Sequence, residues 1–209
     1  TLQKQKAILL KKELAISTHA FSLPSDAALA TLLQPQDSAF TPIDGLRRLH
    51  DAGLGQLPLP GHGATLRRWQ MLAAIAAIAA IDLSLLKLYE SHTDALAILA
   101  EIDGPGAPAG SSWGVWCAEM PGARVKLQQT ADGRYVLDGR KAWCSGASGL
   151  SHALVSCWNA EGQACLASVA LSQPGVHVTD EGWHAVGMAA CASVDVTFSA
   201  ARAFPVGAP

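Results

Sequence analysis

The sequence is poor in charge, and it contains no apolar run long enough to cross a bilayer. Only 15% of its residues are charged and half are hydrophobic. That balance excludes a disordered, self-repelling chain and permits a sizeable core. The 15 Lys and Arg residues are scattered among 17 Asp and Glu, for a formal net charge of -2. Binding to nucleic acid needs a basic face, and none is visible. The most apolar window, Met71 to Ile81, ends at Asp82, well short of the about 20 residues of a membrane span. It reads as a buried helix. The Lys-rich first residues do not have the pattern of a secretory leader.

Cysteine and histidine are present in patterns that exclude the usual sites. Cys117, Cys144, Cys157, Cys165 and Cys191 are odd in number and show no C-x-x-C spacing, which argues against a disulfide framework and a structural zinc. A reducing cytoplasm is the expected setting. The seven histidines form no H-E-x-x-H or other close pair, so no metal site is expected. The segment Gly146-Ala147-Ser148-Gly149-Leu150 begins like a nucleophile elbow, but its closing Gly is displaced and no strand-to-helix context surrounds it. There is no phosphate-binding P-loop. Gly104, Gly106 and Gly110 imitate a dinucleotide motif, but they follow a helix, and Pro105 and Pro108 remove two backbone donors.

What is present divides the chain in two. Residues 1 to about 103 read as helical, punctuated by Pro24, Pro35, Pro42, Pro58 and Pro60. One helix is expected over 66–81 with Thr65 as its N-cap. A second is expected over 83–102, with Leu85, Leu88, His92, Leu96 and Leu99 on one face. The Gly- and Pro-rich stretch 104–110 cannot continue a helix. After it the pattern becomes β, with short strands expected at 125–130, 135–137, 141–145, 153–158, 165–171 and 194–198. Asp132-Gly133 and Asp138-Gly139 read as hairpin turns, and Phe204-Pro205 to the end reads as a loop. The expected fold class is α+β, with an all-helical N-terminal domain over 1–105 followed by a small antiparallel β-barrel or sandwich over 106–209.

Three segments of the β-half put aromatic faces beside small hydroxyl and backbone donors: Trp113 to Gly122, Leu137 to Ala147, and Trp183 to Met188 with Ser193 to Phe198. A flavin's isoalloxazine asks for that combination, with an aromatic wall for its flat body and donors for its pyrimidine edge and N5. The order and spacing resemble the middle domain of acyl-CoA dehydrogenases. Gly139, Lys141, Trp143 and Ser145 match the family's G-x-K-x-W-[IV]-[TS] motif. Ala118-Glu119-Met120 matches its T-E-P motif at the Glu. The stretch from Trp183 through Gly187, Met188 and Ser193 to Val196 resembles the segment that closes that domain. The helical half matches the family's N-terminal domain in size and character, and the family's C-terminal four-helix bundle is absent from the sequence.

The resemblance implies FAD as cofactor. It implies that Trp143 flanks the ring, that Ser145 donates to N5, and that Trp116, Cys117 and Ala118 give backbone contacts to the pyrimidine edge. Lys141 reads as a solvated strand residue. Ala118 stands where the family has Thr. The turn at Pro121-Gly122-Ala123-Arg124 is one residue short and lacks the Ser that helps hold the flavin phosphates; Arg124 offers a cation there. The family's catalytic glutamate lies in the absent bundle, so no catalytic residue is assigned. Glu90 and His92 are the nearest by position, and each reads as structural or solvated. The implied activity is α,β-dehydrogenation of an acyl-CoA by a homo-oligomer. A flavin monooxygenase on the same scaffold and a non-catalytic partner subunit stay open as alternatives.

Overall fold

The computed structural model describes residues 24–35, 39–55, 74–102, 106–182, 184 and 186–207. The expected N-cap Thr65 and the first part of the helix expected over 66–81 lie outside them.

Helix α1 spans Asp26–Leu33, with the Ser25 side chain accepting from Ala28 N–H. Helix α2 spans Pro42–Asp51 and starts on a full capping box, Thr41 against Asp44. Two otherwise orphaned N–H groups are satisfied there. Residues 74–79 are helical. Helix α3 spans Leu83–Glu101, and Asp82, the residue that ends the apolar window, is its N-cap. Leu85, Leu88, His92 and Leu99 are buried on α3, as the three-and-four spacing predicts, whereas Leu96 of the same expected face is only partly buried. No helix among the described residues is long and apolar enough to cross a membrane.

Seven strands follow among the described residues: β1 Trp113–Trp116, β2 Val125–Gln129, β3 Tyr135–Cys144, β4 His152–Trp158, β5 Ala164–Ala170, β6 Val176–Gly182 and β7 Val194–Val206. Strands β2, β3, β7, β5 and β4 pair in sequence, and β4 also pairs with β2, so five strands close into a barrel. Strand β1 lies parallel to β4 along the same edge that meets β2 at Lys126↔Trp158. Strand β6 pairs with the first half of β7. Closure leaves the ring without a free edge.

The expected fold class is overturned in two respects. Among the described residues the helices begin at Asp26, and they do not form an all-helical N-terminal domain with its own core. Leu29, Leu33, Leu46, Leu49, Leu85 and Leu88 belong to one buried cluster with Val125, Leu137, Val155, Val196 and Phe198 of the barrel. Each helix offers an apolar stripe, which is buried against its helical neighbours and the barrel wall together. The sheet is also not purely antiparallel, because β4 pairs parallel with both β1 and β2.

Asp138-Gly139 lies inside β3, opposite a bulge in β7, and does not turn the chain. At this point β7 takes three steps from Phe198 to Ala201 while β3 takes two from Gly139 to Leu137. Asp138 Oδ1 accepts from Ala200 N at 2.8 Å. Gly139 has φ 125°, and a Cβ there would lie 2.2 Å from the Arg124 carbonyl oxygen. Asp132-Gly133 is the true hairpin turn, with Gly133 N–H on the Thr130 carbonyl. Strands β1 and β6 were absent from the expected set. Phe204 and Pro205 lie in β7, opposite Ser168 and Ala167 of β5, where a loop was expected.

Candidate functional site

A second bulge shapes the region of interest. From Lys141 to Cys144 strand β3 takes three steps, while β7 takes two from Val196 to Val194. The extra residue re-aims one side chain out of the ladder. That side chain is Trp143, which has φ 60° and is 42% exposed. A left-handed backbone costs a non-glycine residue about 1–2 kcal/mol, and exposing an indole costs more. Just beyond it, Ser145 N–H donates to the Trp143 carbonyl at 3.1 Å. The chain then turns at 145–149.

Trp116 ends β1 as a buried residue, and its Nε1 donates to the Ser145 carbonyl at 3.2 Å. The two motif segments therefore meet at this hydrogen bond. Ser145 is itself buried, and its Oγ lies 2.8 Å from Ser193 Oγ. Two hydroxyls carry two hydrogens, and one bond between them uses only one. Cys117 and Ala118 follow Trp116 as exposed residues. Although the residue is exposed, partial desolvation of its thiol pushes Cys117 up, against the opposing charge of Lys141 and the Ser156 backbone.

The exposed segment after Trp116 is anchored by residues to which the sequence reading gave no role. Lys141, expected to be solvated, is fully buried. Its ammonium donates to Glu119 Oε1 at 2.7 Å, to Ser156 Oγ at 2.6 Å and to the Ser156 carbonyl at 3.0 Å. Three donors meet three acceptors, so the buried charge is fully satisfied. Ser156 Oγ donates in turn to Glu119 Oε1 at 2.7 Å, and Trp158 Nε1 approaches Glu119 Oε2 at 3.4 Å. Desolvation acts to raise the Glu119 carboxyl, but the bonds from Lys141 and Ser156 and the Lys141 charge outweigh it, so it titrates below its ordinary value. The legible signal was phase: Lys141 lies four residues from the buried Leu137, an even step along β3. Ser193 lay inside a quoted segment, but nothing in the sequence showed that it faces Ser145.

The other candidates fall elsewhere. The Arg124 guanidinium stacks over the Trp158 ring at 3.9 Å, at the rim of the Glu119 anchor. Glu90 pairs with Lys87 at 3.0 Å on the exposed side of α3. His92 is buried beside His50, with ring centroids 6.3 Å apart, and its Nδ1 meets no hydrogen-bond partner among the described residues. An open cleft of about 670 Å³ is bordered by Ala147, Ser148, Leu171, Val178 and Asp180. A smaller one of about 290 Å³ lies between Thr41, Arg47, Gly149 and Cys191. Both open on the turn after Ser145, and Trp143 lines neither.

No protein-family model matches the chain, and comparison with curated proteins gives no match. Solved structures do match. TdsC from Paenibacillus sp. A11-2, solved with FMN and indole, is 25% identical with a TM-score of 0.69, over 88% of this chain and 51% of that one; it is described as a dibenzothiophene monooxygenase. MsuC from Pseudomonas fluorescens, a methanesulfinate monooxygenase, is 20% identical with a TM-score of 0.66, over 87% and 51%. KijD3, solved with FMN and a dTDP-linked amino keto sugar, is 23% identical with a TM-score of 0.59, over 91% and 54%. The latter two likenesses concern the fold. The chain spans about half the length of the structures it matches, and those neighbours include FMN-binding proteins and monooxygenases.

Proposed function

We propose that this chain is the flavin-binding part of a flavin-dependent oxidoreductase, with monooxygenation as its reaction class. The observation that carries the reading is Trp143, a large aromatic held out of the barrel on strained backbone. Strain and apolar exposure concentrated on one residue fit a ligand-facing role. Trp143 gives the isoalloxazine its aromatic wall. The Ser145–Ser193 pair offers its unshared hydroxyl hydrogen to the ring's N5. Cys117 and Ala118, with Trp116 behind them, present backbone groups to the pyrimidine edge. The Glu119–Lys141 anchor fixes where those groups sit. When bound, the flavin supplies the electrons and the centre at which oxygen reacts.

Monooxygenation is favoured over acyl-CoA dehydrogenation by the likeness to TdsC. FMN, the form present with TdsC, takes precedence over FAD. Acyl-CoA dehydrogenation is the second reading, and the Gly139, Lys141, Trp143 and Ser145 spelling favours it. In either case residues 106–209 carry the flavin contacts, within a homo-oligomer.

The test uses the full-length protein. FMN and FAD are titrated against it by quenching of flavin fluorescence. The reduced complex is then followed for oxygen uptake with aromatic or sulfur-containing substrates, and the oxidised complex for bleaching by acyl-CoAs. Flavin uptake with oxygen consumption and no response to any acyl-CoA is the expected result. Failure to take up either flavin removes both readings.

A further inference from the structure

Strands β4 and β5 place two cysteines directly opposite each other, Cys157↔Cys165. Their sulfurs lie 3.5 Å apart. Both are free thiols, as are Cys117, Cys144 and Cys191. We propose that Cys157 and Cys165 form a reversible, peroxide-sensitive dithiol–disulfide site on the β4–β5 hairpin.

The ladder fixes the geometry. Asn159 N–H donates to the Gln163 carbonyl at 3.0 Å, and Leu171 N–H donates to the Ser151 carbonyl at 2.8 Å. Both pairs lie in the same register as Cys157↔Cys165 and an even number of residues from it. Pair types alternate along an antiparallel ladder, so the cysteines occupy a hydrogen-bonded pair, with Cα atoms about 5.5 Å apart. That spacing is inside the about 4.4–6.8 Å range that a disulfide spans. Each sulfur also leans on the carbonyl opposite, Cys157 Sγ at 3.6 Å from Cys165 O and Cys165 Sγ at 3.5 Å from Cys157 O. Forming a bond of about 2.0 Å requires the sulfurs to close by roughly 1.5 Å between backbones pinned by hydrogen bonds. The linkage therefore forms without unfolding but carries strain, and strained disulfides are the readily reduced, labile ones.

Access sets the order of events. Cys157 faces the barrel interior, whereas Cys165 is half-buried. The Cys165 thiol gives an electron pair to a peroxide oxygen; the O–O bond breaks, and a sulfenic acid and water result. The Cys157 sulfur then attacks the Cys165 sulfur, the S–O bond breaks, and a second water carries off the oxygen. Two thiols and one peroxide thus yield one disulfide and two waters. The inference does not depend on the flavin reading.

The test treats the fully reduced full-length chain with hydrogen peroxide, blocks remaining thiols by alkylation, and maps peptides by mass spectrometry without reduction. The expected product has lost two hydrogens and contains a Cys157–Cys165 linked peptide, with Cys144 and Cys191 alkylatable. Dithiothreitol restores all five thiols. C165S should show no internal crosslink. The wild-type map stands even if that variant fails to fold. The proposal is overturned if Cys157 and Cys165 both remain alkylatable after the exposed Cys117 has been consumed, or if the only crosslink formed includes Cys117.

Discussion

The Glu119–Lys141 pair makes a prediction whose direction is counter to simple counting of contacts. The two partners share one ion pair, but Lys141 is 0% exposed while Glu119 is 43% exposed. Removing Glu119's charge strands an ammonium in the interior, which costs about 3–5 kcal/mol. Removing Lys141 leaves a carboxylate that water can reach, and a methionine fills the volume of the lysine stem. The cost is then mostly lost hydrogen bonds, about 1–2 kcal/mol. For a chain of this size 1 kcal/mol moves Tm by about 2–4 °C. E119Q should therefore fall by roughly 6–20 °C, K141M by clearly less, and the double variant E119Q/K141M should return close to K141M. Thermal unfolding followed by circular dichroism measures all three. Acid gives an internal check. The Glu119 carboxyl titrates below its ordinary 4.5, so its contribution is complete above that value and is lost as pH falls through the lowered one. The gap between wild type and E119Q should close over that acidic window. If K141M proves the less stable of the two single variants, the stranded-charge argument is refuted.

Other consequences are measurable. Burial, helped by the charge of His50 and opposed by a bond to the Gly55 backbone, holds the His92 imidazole at about 4, against 6.5 ordinarily. Between those values the unfolded chain binds more protons, so stability falls with acid by on the order of 3 kcal/mol. H92L should flatten that slope in denaturant titrations at pH 7 and 4.5, and an unchanged slope would refute the assignment. W143G relieves the left-handed strain of about 1–2 kcal/mol and loses a partly exposed ring. Its Tm should stay near that of wild type while flavin affinity falls at least tenfold; loss of both together would make Trp143 a structural residue. S145A removes the hydroxyl that pairs with Ser193, and it should weaken flavin binding and shift the visible spectrum of bound flavin without unfolding the chain. Gly139→Ala should prevent folding, because its Cβ meets the Arg124 carbonyl at 2.2 Å, as the yield of soluble chain would report.

Periodicity made the main helix legible. Leu85, Leu88, His92 and Leu99 announced the buried face of α3, and the described helix ends within one residue of the expected range. Short runs bounded by turn signals did the same for β2, β4 and β5, although only β2 alternates in burial. The rest was hidden by features that have no local signature. Asp138-Gly139 spells a hairpin, but its aspartate caps Ala200, 62 residues away, and only the tertiary partner decides between turn and bulge. Strand β6 has only Val176 and Val178 to alternate and no buried residue, because most of it is exposed along the edge of β7. Pro205 spells a loop, yet it lies in the last turn of register between β7 and β5. The separate helical domain failed for a reason of scale. Composition says that a segment is helical, but not whether its apolar stripes face one another or a neighbouring wall.

The same distinction separates the two halves of the candidate site. Trp143 and Ser145 could be named from their spelling because they lie two residues apart, at the end of β3 and the start of the turn that follows it. The residues that hold Cys117 and Ala118 come from three elements: Glu119 after β1, Lys141 on β3, and Ser156 and Trp158 on β4. No spacing rule links them. What links them is a buried ammonium that requires three acceptors, and the acceptors available dictate where the chain leaving β1 must run. The position of the exposed backbone at 117–118 is thus fixed by satisfaction of a charge, not by packing of apolar surface. A substitution at Lys141 or Glu119 should therefore disturb flavin affinity far more than removal of an equal number of apolar atoms from the rim of the barrel.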